Sequence, residues 1–498
     1  MKSLGILLIL AGTIVASPAQ TNAPGVRMLS LEDCLQKALE KNLDLRIARY
    51  NPPMAMSDLQ NAYAGYDPNL SIGGEHNFQM SGGGFNSAIG IQVPSTTSDA
   101  NAFNGSLANG LLPTGLKYQL SGSASEVYGN PGPFDFASGS ASIGLTQPLL
   151  KNFWIDPTRF SIKVAKNRVK YSELGLKQSI MSVITTVEQA YYDLIYDREN
   201  IAVQEKAVEL ATQLVVENKK RVEVGAMAPL DEQQAESQAA SSQAALIAAR
   251  SALAVQANTL KQLISDDYAS WQAVDLQPTV SLKAPIQVFD RQISWSKGLT
   301  QRPDLLQAKL DVERQGITIK YNYNQLFPEL DIVGGYGHGA GGNDIGEFSQ
   351  ALNQLAEGSR PNYYYGGQIS FPVGNIGPRS TYKKSKLAME QLVLTLKKLE
   401  QTIMTTIDND IQQAQSSYEQ VAATRAAREY AAAALDAEQK KLESGKSTTY
   451  TVLQMQRDLT TARGSEIQAL DLYNKALSQL SLDEGSTLER LAINLEVK

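Results

Sequence analysis

The chain is short of the groups most enzymes are built around. It holds one cysteine and two histidines in 498 residues. A single cysteine, Cys34, excludes an intramolecular disulfide, and no paired Cys/His spacing offers a metal site. Cys34 near a helix start reads as a small buried residue, not a nucleophile. Neither His76 nor His338 stands in a nucleophile elbow, so no Ser/His/Asp set is supported. Basic excess is also missing: 45 Lys+Arg stand against 51 Asp+Glu, a net charge of -6. No Lys/Arg run points to nucleic acid. Past the N-terminus no stretch approaches the 18 or so apolar residues of a membrane helix. A mature chain that enters a bilayer must then do so as a closed β-barrel.

The N-terminus reads as an export signal over residues 1–19. Lys2 is followed by an apolar run from Leu4 to Val15, too short to span a bilayer. Ser17-Pro18-Ala19 then supplies small residues for cleavage after Ala19. Leu31-Glu32-Asp33, just before Cys34, lacks the small residues of a lipoprotein site. The mature chain is therefore soluble outside the cytoplasm or a membrane β-barrel.

What is present comes in two textures, each used twice. From Gly65 to Gly144, and again from Gly334 to Gly377, the chain is dense in glycine. The first of these stretches is rich in Ser and Asn and nearly free of charge. These segments read as strands and turns. From Thr158 to Asp267 the only glycines are Gly175 and Gly225, and from Thr381 to Glu484 only Gly445 and Gly464. These Ala/Gln/Glu/Leu-rich stretches read as long helices. Ile180, Val187, Leu194, Ile201, Val208, Val215 and Val222 recur every seven residues, a coiled-coil seam with left-handed winding. In the second half, Leu392 to Val421 steps by three and four, which suits a straighter helix. A helix over 158–222 would be about 100 Å long.

The halves align with each other. A shift of 260 takes Asn42-Leu43-Asp44-Leu45 to Arg302-Pro303-Asp304-Leu305, and Asp67-Pro68-Asn69-Leu70 to Phe327-Pro328-Glu329-Leu330. A shift of 220 takes Lys220-Arg221-Val222 and Gly225 to Lys440-Lys441-Leu442 and Gly445. Each half reads helix, strands, long helix, glycine turn, helix. A duplicated unit that cannot bury its apolar stripe alone packs beside copies of itself, and cyclic homo-oligomerisation completes the ring.

Strand alternation runs from Pro68 to Met80, Ser138 to Leu149, Leu330 to Tyr336 and Tyr363 to Phe371. With the aromatic clusters Phe134/Phe136 and Tyr363-Tyr364-Tyr365 it suits a membrane barrel wall. It equally suits a soluble antiparallel sheet; the export signal and long helices favour the barrel. About four strands per chain cannot close a barrel alone, and three chains would give twelve. Asn101 to Asn109 and Leu116 to Val127, joined across Leu112-Pro113-Thr114-Gly115, form a further hairpin in the 81–137 segment, in the wall or outside it.

At this point the motifs resemble a family. Leu29-Ser30-Leu31-Glu32-Asp33-Cys34-Leu35 resembles the opening of TolC-type outer-membrane efflux proteins. Arg302-Pro303-Asp304-Leu305 with Leu326-Phe327-Pro328 resembles their second-half signature, and Gln147-Pro148-Leu149-Leu150 their strand-to-helix junction. The tips Lys220 to Gly225 and Lys440 to Gly445 resemble the two helical-hairpin reversals. The resemblance covers essentially the whole mature chain, in order. It implies a mixed fold, a membrane β-barrel joined to a long α-helical coiled-coil barrel, assembled as a homotrimer in the outer membrane of a Gram-negative bacterium. It implies a passive exit duct of a tripartite efflux or type I secretion system. Its partners would be outer-membrane lipid, a periplasmic adaptor and, indirectly, an inner-membrane pump, with no cofactor, metal or catalysis.

The expected organisation follows. The first repeat covers 20–267, with strands about 68–148 and a helical hairpin about 158–267 turning at Gly225. An equatorial segment covers 268–300. The second repeat covers 301–484, with strands about 329–372 and a hairpin about 380–482 turning at Gly445, and a tail covers 485–498. The resemblance assigns adaptor contact to Lys220, Arg221, Val222, Gly225, Lys440, Lys441, Leu442 and Gly445. The glycines suit a helix reversal, and cations suit the last helical turn in any case. It places gate candidates at Asp231, Thr451 and Gln454; Asp231 matches the acid expected six residues past a tip glycine, and Thr451 does not. Leu43 stands where the family has proline, with Asn51-Pro52-Pro53 breaking the first helix further on. Two other readings were a porin-like diffusion channel, open without an adaptor, and a secreted coiled-coil scaffold, for which repeated strand pairs have no use. The glycine run Gly337 to Gly342 fits a dinucleotide fingerprint only by spacing, since no βαβ unit surrounds it.

Overall fold

The computed structural model describes residues 25–130, 135–341 and 346–493; the proposed signal peptide, 1–19, lies outside them. Strand β1 (Val26–Leu29) leads into helices α1 (Leu31–Lys41), α2 (Leu43–Ala48) and α3 (Asn51–Tyr63). Strands β2 (Asn69–Ser81), β3 (Gly84–Asn86), β4 (Ile91–Val93), β5 (Thr96–Leu111), β6 (Lys117–Asn130) and β7 (Phe136–Pro148) follow. Helices α4 (Pro157–Glu223) and α5 (Pro229–Ile264) precede strand β8 (Asp275–Pro278). The second half runs α6 (Arg291–Gln301), α7 (Pro303–Asn324), β9 (Glu329–Gly341), α8 (Phe348–Glu357), β10 (Pro361–Ser370), α9 (Ile376–Glu443), α10 (Thr449–Asp483) and α11 (Thr487–Arg490).

Helix α1 and strand β2 recur as α6 and β9 at the offset of 260. Helices α1 and α6 have 11 residues each, and strands β2 and β9 have 13 each. Local signals set these bounds. Ser30 and Asp33 form a capping box, each side chain accepting from the other's backbone N–H at 3.1 Å. Asp156 caps α4, accepting from Arg159 N–H at 2.8 Å, with Pro157 at the first helical position. Helices α4 and α9, at 67 and 68 residues, are each about 100 Å long. Each folds back on its partner, α5 or α10, and α10 also lies along α4.

The main core sits where α1, α2, the end of α5 and β8 wrap the middle of α4. Cys34, Leu45, Met181, Ile184, Val187, Leu194, Leu260 and Leu276 are buried there. Strand β1 pairs in parallel with β8, tying the N-terminal segment to the stretch that follows α5. A second core joins Leu305 of α7 to Ile403, Ile407 and Ile411 of α9, the three-and-four stripe read from the sequence. The heptad seam of α4 holds only in part. Ile180, Val187 and Leu194 are buried, but further on Val203, Ala211, Leu214 and Asn218 take the inside line. Val208, Val215 and Val222 are left half-buried. An α-helix drifts about 20° per heptad against a seven-residue repeat, so within one chain the stripe leaves the contact line.

One expectation needs correction. The sheet has six strands, not about four, in the order β10-β9-β7-β6-β5-β2. The hairpin β5–β6 has no counterpart in the second half, and it enters the sheet because its backbone pairs along nearly its whole length with β2 and β7. Within the expected equatorial segment, 268–300, Asp290 caps α6 at Arg291, accepting from the N–H groups of Gln292 and Ile293 at 2.8 and 3.2 Å. Helix α11 lies within the expected tail, 485–498, of which residues 485–493 are described.

Candidate functional site

The sheet is two-faced. Strand register places Ser71, Ser106, Ser121 and Ser142 in one row, and Ser123 with Ser140 and Ser125 with Ser138 in the next rows, all on one face. Their hydroxyls bond across the strands: Ser71–Ser106 at 2.8 Å, Ser121–Ser142 at 2.9 Å, Ser123–Ser140 at 2.8 Å and Ser125–Ser138 at 3.0 Å. Asn69, Gln79, Gln119 and Gln368 share that face by alternation. Phe136, at the far end, and Tyr364 are exceptions in bulk. The Tyr364 ring crosses the facing glycines, and a Cβ on Gly335 would lie 2.4 Å from it. The opposite face carries Leu70, Ile72, Leu107, Leu120, Ile143, Ile332, Tyr336, Tyr363 and Ile369, all from the same alternation. Leu70, Ile72, Leu120, Ile143, Ile332, Tyr363 and Ile369 are exposed in the single chain. One polar face and one apolar face is what a wall between water and lipid requires.

At the end of the sheet far from the long helices, α8 folds over the apolar face. Phe348 meets Phe103 edge to face at 5.4 Å, and its N–H donates to Glu126 at 3.1 Å. Glu126 accepts from Asn101, which is also bonded to His76 at 2.9 Å. His76 thus belongs to a polar cluster that α8 reaches at Glu126, its own ring remaining exposed, and His338 packs edge-on against Tyr336. Sequence reading missed α8, although Phe348, Ala351, Leu352 and Leu355 have helical spacing.

The two hairpin tips lie at the other end. Gly225 (φ +75°) and Gly445 (φ +74°) both take the left-handed conformation. Gly225 N–H reaches Val222 O at 2.9 Å and Ala226 N–H reaches Arg221 O at 2.7 Å. Gly445 N–H and Lys446 N–H do the same to Leu442 and Lys441, at 3.1 and 2.8 Å. This is the two-bond helix stop in which a side chain at the glycine would strain the backbone. Leu442 is buried against its hairpin partner, whereas Val222 is half-buried.

The tips differ in charge. Lys440 pairs with Asp436 at 2.6 Å and Lys441 with Glu438 at 2.9 Å. Asp436 raises the Lys440 pKa, and Ser447 and then Lys441 lower that of Glu438. Lys220 and Arg221 have no ion-pair partner among the described residues.

The gate candidates fall in the first turns after the tips. Asp231 is half-exposed in the first turn of α5, and its carbonyl accepts from the buried Asn218 at 3.2 Å. Thr451 is committed to capping: its hydroxyl lies 2.9 Å from that of Thr448, which accepts from Thr451 N–H. Gln454 donates to Asp458 at 3.0 Å and lines a small cavity between α5 and α10 with Gln234, Tyr450 and Arg457. Asp231 and Thr451 are not in that cavity lining. The sequence reading passed over Asp458 and Arg457, though the i,i+4 spacing from Gln454 was a signal for the first.

Arg302 and Asp304 act as a clamp. The Arg302 guanidinium holds Asp304 through two bonds of 2.9 and 2.8 Å and reaches Asp483 at 2.9 Å, fixing the start of α7 to the end of α10. Asp410 lies beside Asp483, and burial together with that neighbour pushes its pKa up to about 7. Burial pushes the Cys34 thiol up to about 12, so it stays protonated and inert. Among the described residues no group of three or more His, Cys, Asp or Glu side chains could hold a metal ion, and no helix is long and apolar enough to cross a membrane.

Comparison with known proteins bears on this arrangement. The family model described as "Outer membrane efflux protein" matches residues 34–265 and 295–482. The outer membrane efflux protein BepC of Brucella suis is 24% identical over 357 residues, 70% of this chain and 73% of that protein. The CmeC outer membrane channel of Campylobacter jejuni superposes with a TM-score of 0.66 over 93% of this chain and 88% of its own, at 16% identity. VceC of Vibrio cholerae superposes with a TM-score of 0.65 over 91% of this chain and 96% of its own, also at 16% identity.

Proposed function

This chain belongs to the outer membrane efflux protein family, and from that membership we propose that it is the exit duct of a tripartite efflux or type I secretion system. Three copies form a hollow rod: the sheets close into a barrel in the outer membrane, and the paired helices form a tube reaching into the periplasm. A periplasmic adaptor meets the tube at the two glycine tips, and an inner-membrane pump feeds it through that adaptor. The duct conducts passively, and no catalytic step is part of this reading.

The observation that carries it is a single chain joining helices of 67 and 68 residues to a sheet with one hydroxyl-rich face and one apolar face. A soluble scaffold has no use for the apolar face, and a diffusion pore has no use for helices about 100 Å long. Duplicated element bounds support a ring built from paired units. At the tube's narrow end, three copies of Asp231 form an acidic ring, while Thr451 contributes no charge.

Electron microscopy of the protein extracted from isolated outer membranes tests this. Hollow three-fold particles well over ~100 Å long are expected from the helix length. Short, squat barrels, or recovery only as soluble rods, would overturn it.

A further inference from the structure

From the sheet we infer that the assembled barrel has eighteen strands, six from each chain, with β2 of one copy hydrogen-bonded to β10 of the next. The inference rests on the three-fold duct proposed above and goes beyond it, because the family resemblance alone implies twelve.

Three observations carry it. First, β5 and β6 are wall strands by their bonding. β5 pairs with β2 over thirteen consecutive residue pairs, and β6 pairs with β7 over eleven. Taking them out of the wall would break both ladders and leave the facing edges of β2 and β7 in lipid without the partners they have here. Second, the hairpin carries the same two faces as its neighbours. Ser121 and Ser123 bond to Ser142 and Ser140 on the polar side, and Leu107 and Leu120 continue the apolar side. A loop standing in water would have no reason to keep both. Third, only β2 and β10 are left with an open edge in this sheet, and every residue of both is exposed.

A second copy of this chain is the occupant those edges fit. The six strands alternate in direction across the sheet, since every pairing is antiparallel. With an even number, the two edges run in opposite directions. Copies set side by side therefore continue the antiparallel ladder from β2 to the partner's β10 without a break, and the pore is incomplete without it.

The consequence is a wider exit. Strand spacing of about 4.8 Å and a tilt of about 40° give a backbone radius of about 12 Å for twelve strands and about 18 Å for eighteen. The helical tube keeps four long helices per chain in either case. The barrel is then about 1.5-fold wider than a twelve-stranded one, opening outward from the tube. Its inner wall is lined mainly by hydroxyls and amides, with Glu75 on the same face of β2 and with Lys117, Glu329 and Asp331 on that face near the helical end.

Single-particle imaging of the full chain in lipid nanodiscs tests this by counting strands in a section through the barrel. Eighteen strands with three-fold symmetry are expected. Twelve strands, with residues 96–130 outside the wall, would overturn the inference and leave the duct standing. A particle without three-fold symmetry or without a barrel would overturn both. Thiol labelling gives a second readout in a Cys34→Ala background. Ser123→Cys should react with a hydrophilic maleimide and Leu120→Cys should not, being buried in lipid. Equal labelling of both would mean that the hairpin stands in water, and the inference would fall.

Discussion

Glu188 shows how this chain holds its tail. Its side chain is fully buried in α4, and both carboxylate oxygens accept from Arg490 Nη2, at 2.7 and 2.6 Å. Arg490→Ala would leave that carboxylate buried and unpaired, which costs about 3–5 kcal/mol. A fall in melting temperature together with release of α11 is expected; an unchanged melt would mean that the pair contributes nothing. Asp410 gives a second test. Its folded pKa of about 7 lies above the ordinary value of 3.8, so folding takes up a proton between those values. Stability is then lost as pH rises through that window and is flat above it. Asp410→Asn removes the loss. The variant should match the native protein at pH 4 and exceed it by about 1–3 kcal/mol at pH 8, allowing for partial exposure. Equal melts at both pH values would show that no proton is taken up there.

At the scale of elements, the tip glycines are the sharpest test. A non-glycine residue held in the left-handed region costs about 1–2 kcal/mol. Gly225→Ala and Gly445→Ala should each fray the last turn, read as faster hydrogen exchange at the Ala226 and Lys446 amides. Unchanged exchange would mean that the reversal does not depend on glycine. These turns were legible in the sequence, because glycine is otherwise scarce in both helical stretches. The offset between the halves was legible too, because matched motifs recur at a fixed spacing. The wall count was not. Strands were paired by analogy between the halves, and β5–β6 has no partner there. The missed signal was the period-two spacing of Ser121, Ser123 and Ser125 against Ser138, Ser140 and Ser142. The inside line of α4 beyond Leu194 was hidden too, because burial there depends on where α5 and α10 lie, not on α4's own period.

For the whole molecule, charge is concentrated away from the wall. The polar face of the sheet is mainly hydroxyl and amide, whereas Asp231 sits half-exposed just past the first tip. In the three-fold assembly proposed above, its copies would converge on the axis. Unlike charges along the long helices, each would there face two of its own kind across a narrow opening. Such a ring attracts multivalent cations more than monovalent ones, since Coulomb attraction scales with charge and is screened within about 10 Å at ordinary salt. Thr451 and Gln454 add no charge to it, and Asp458 is engaged by Gln454 one turn deeper. The duct should therefore be blocked by multivalent cations from the tip side, but less tightly than one with acids after both tips. In planar bilayers, a trivalent cation added on that side should lower the conductance of the native channel. Asp231→Asn should shift the blocking concentration upward about tenfold, equivalent to about 1.4 kcal/mol of lost attraction. Blockade unchanged by the substitution would remove Asp231 from the constriction and put the narrowest point elsewhere along the tube.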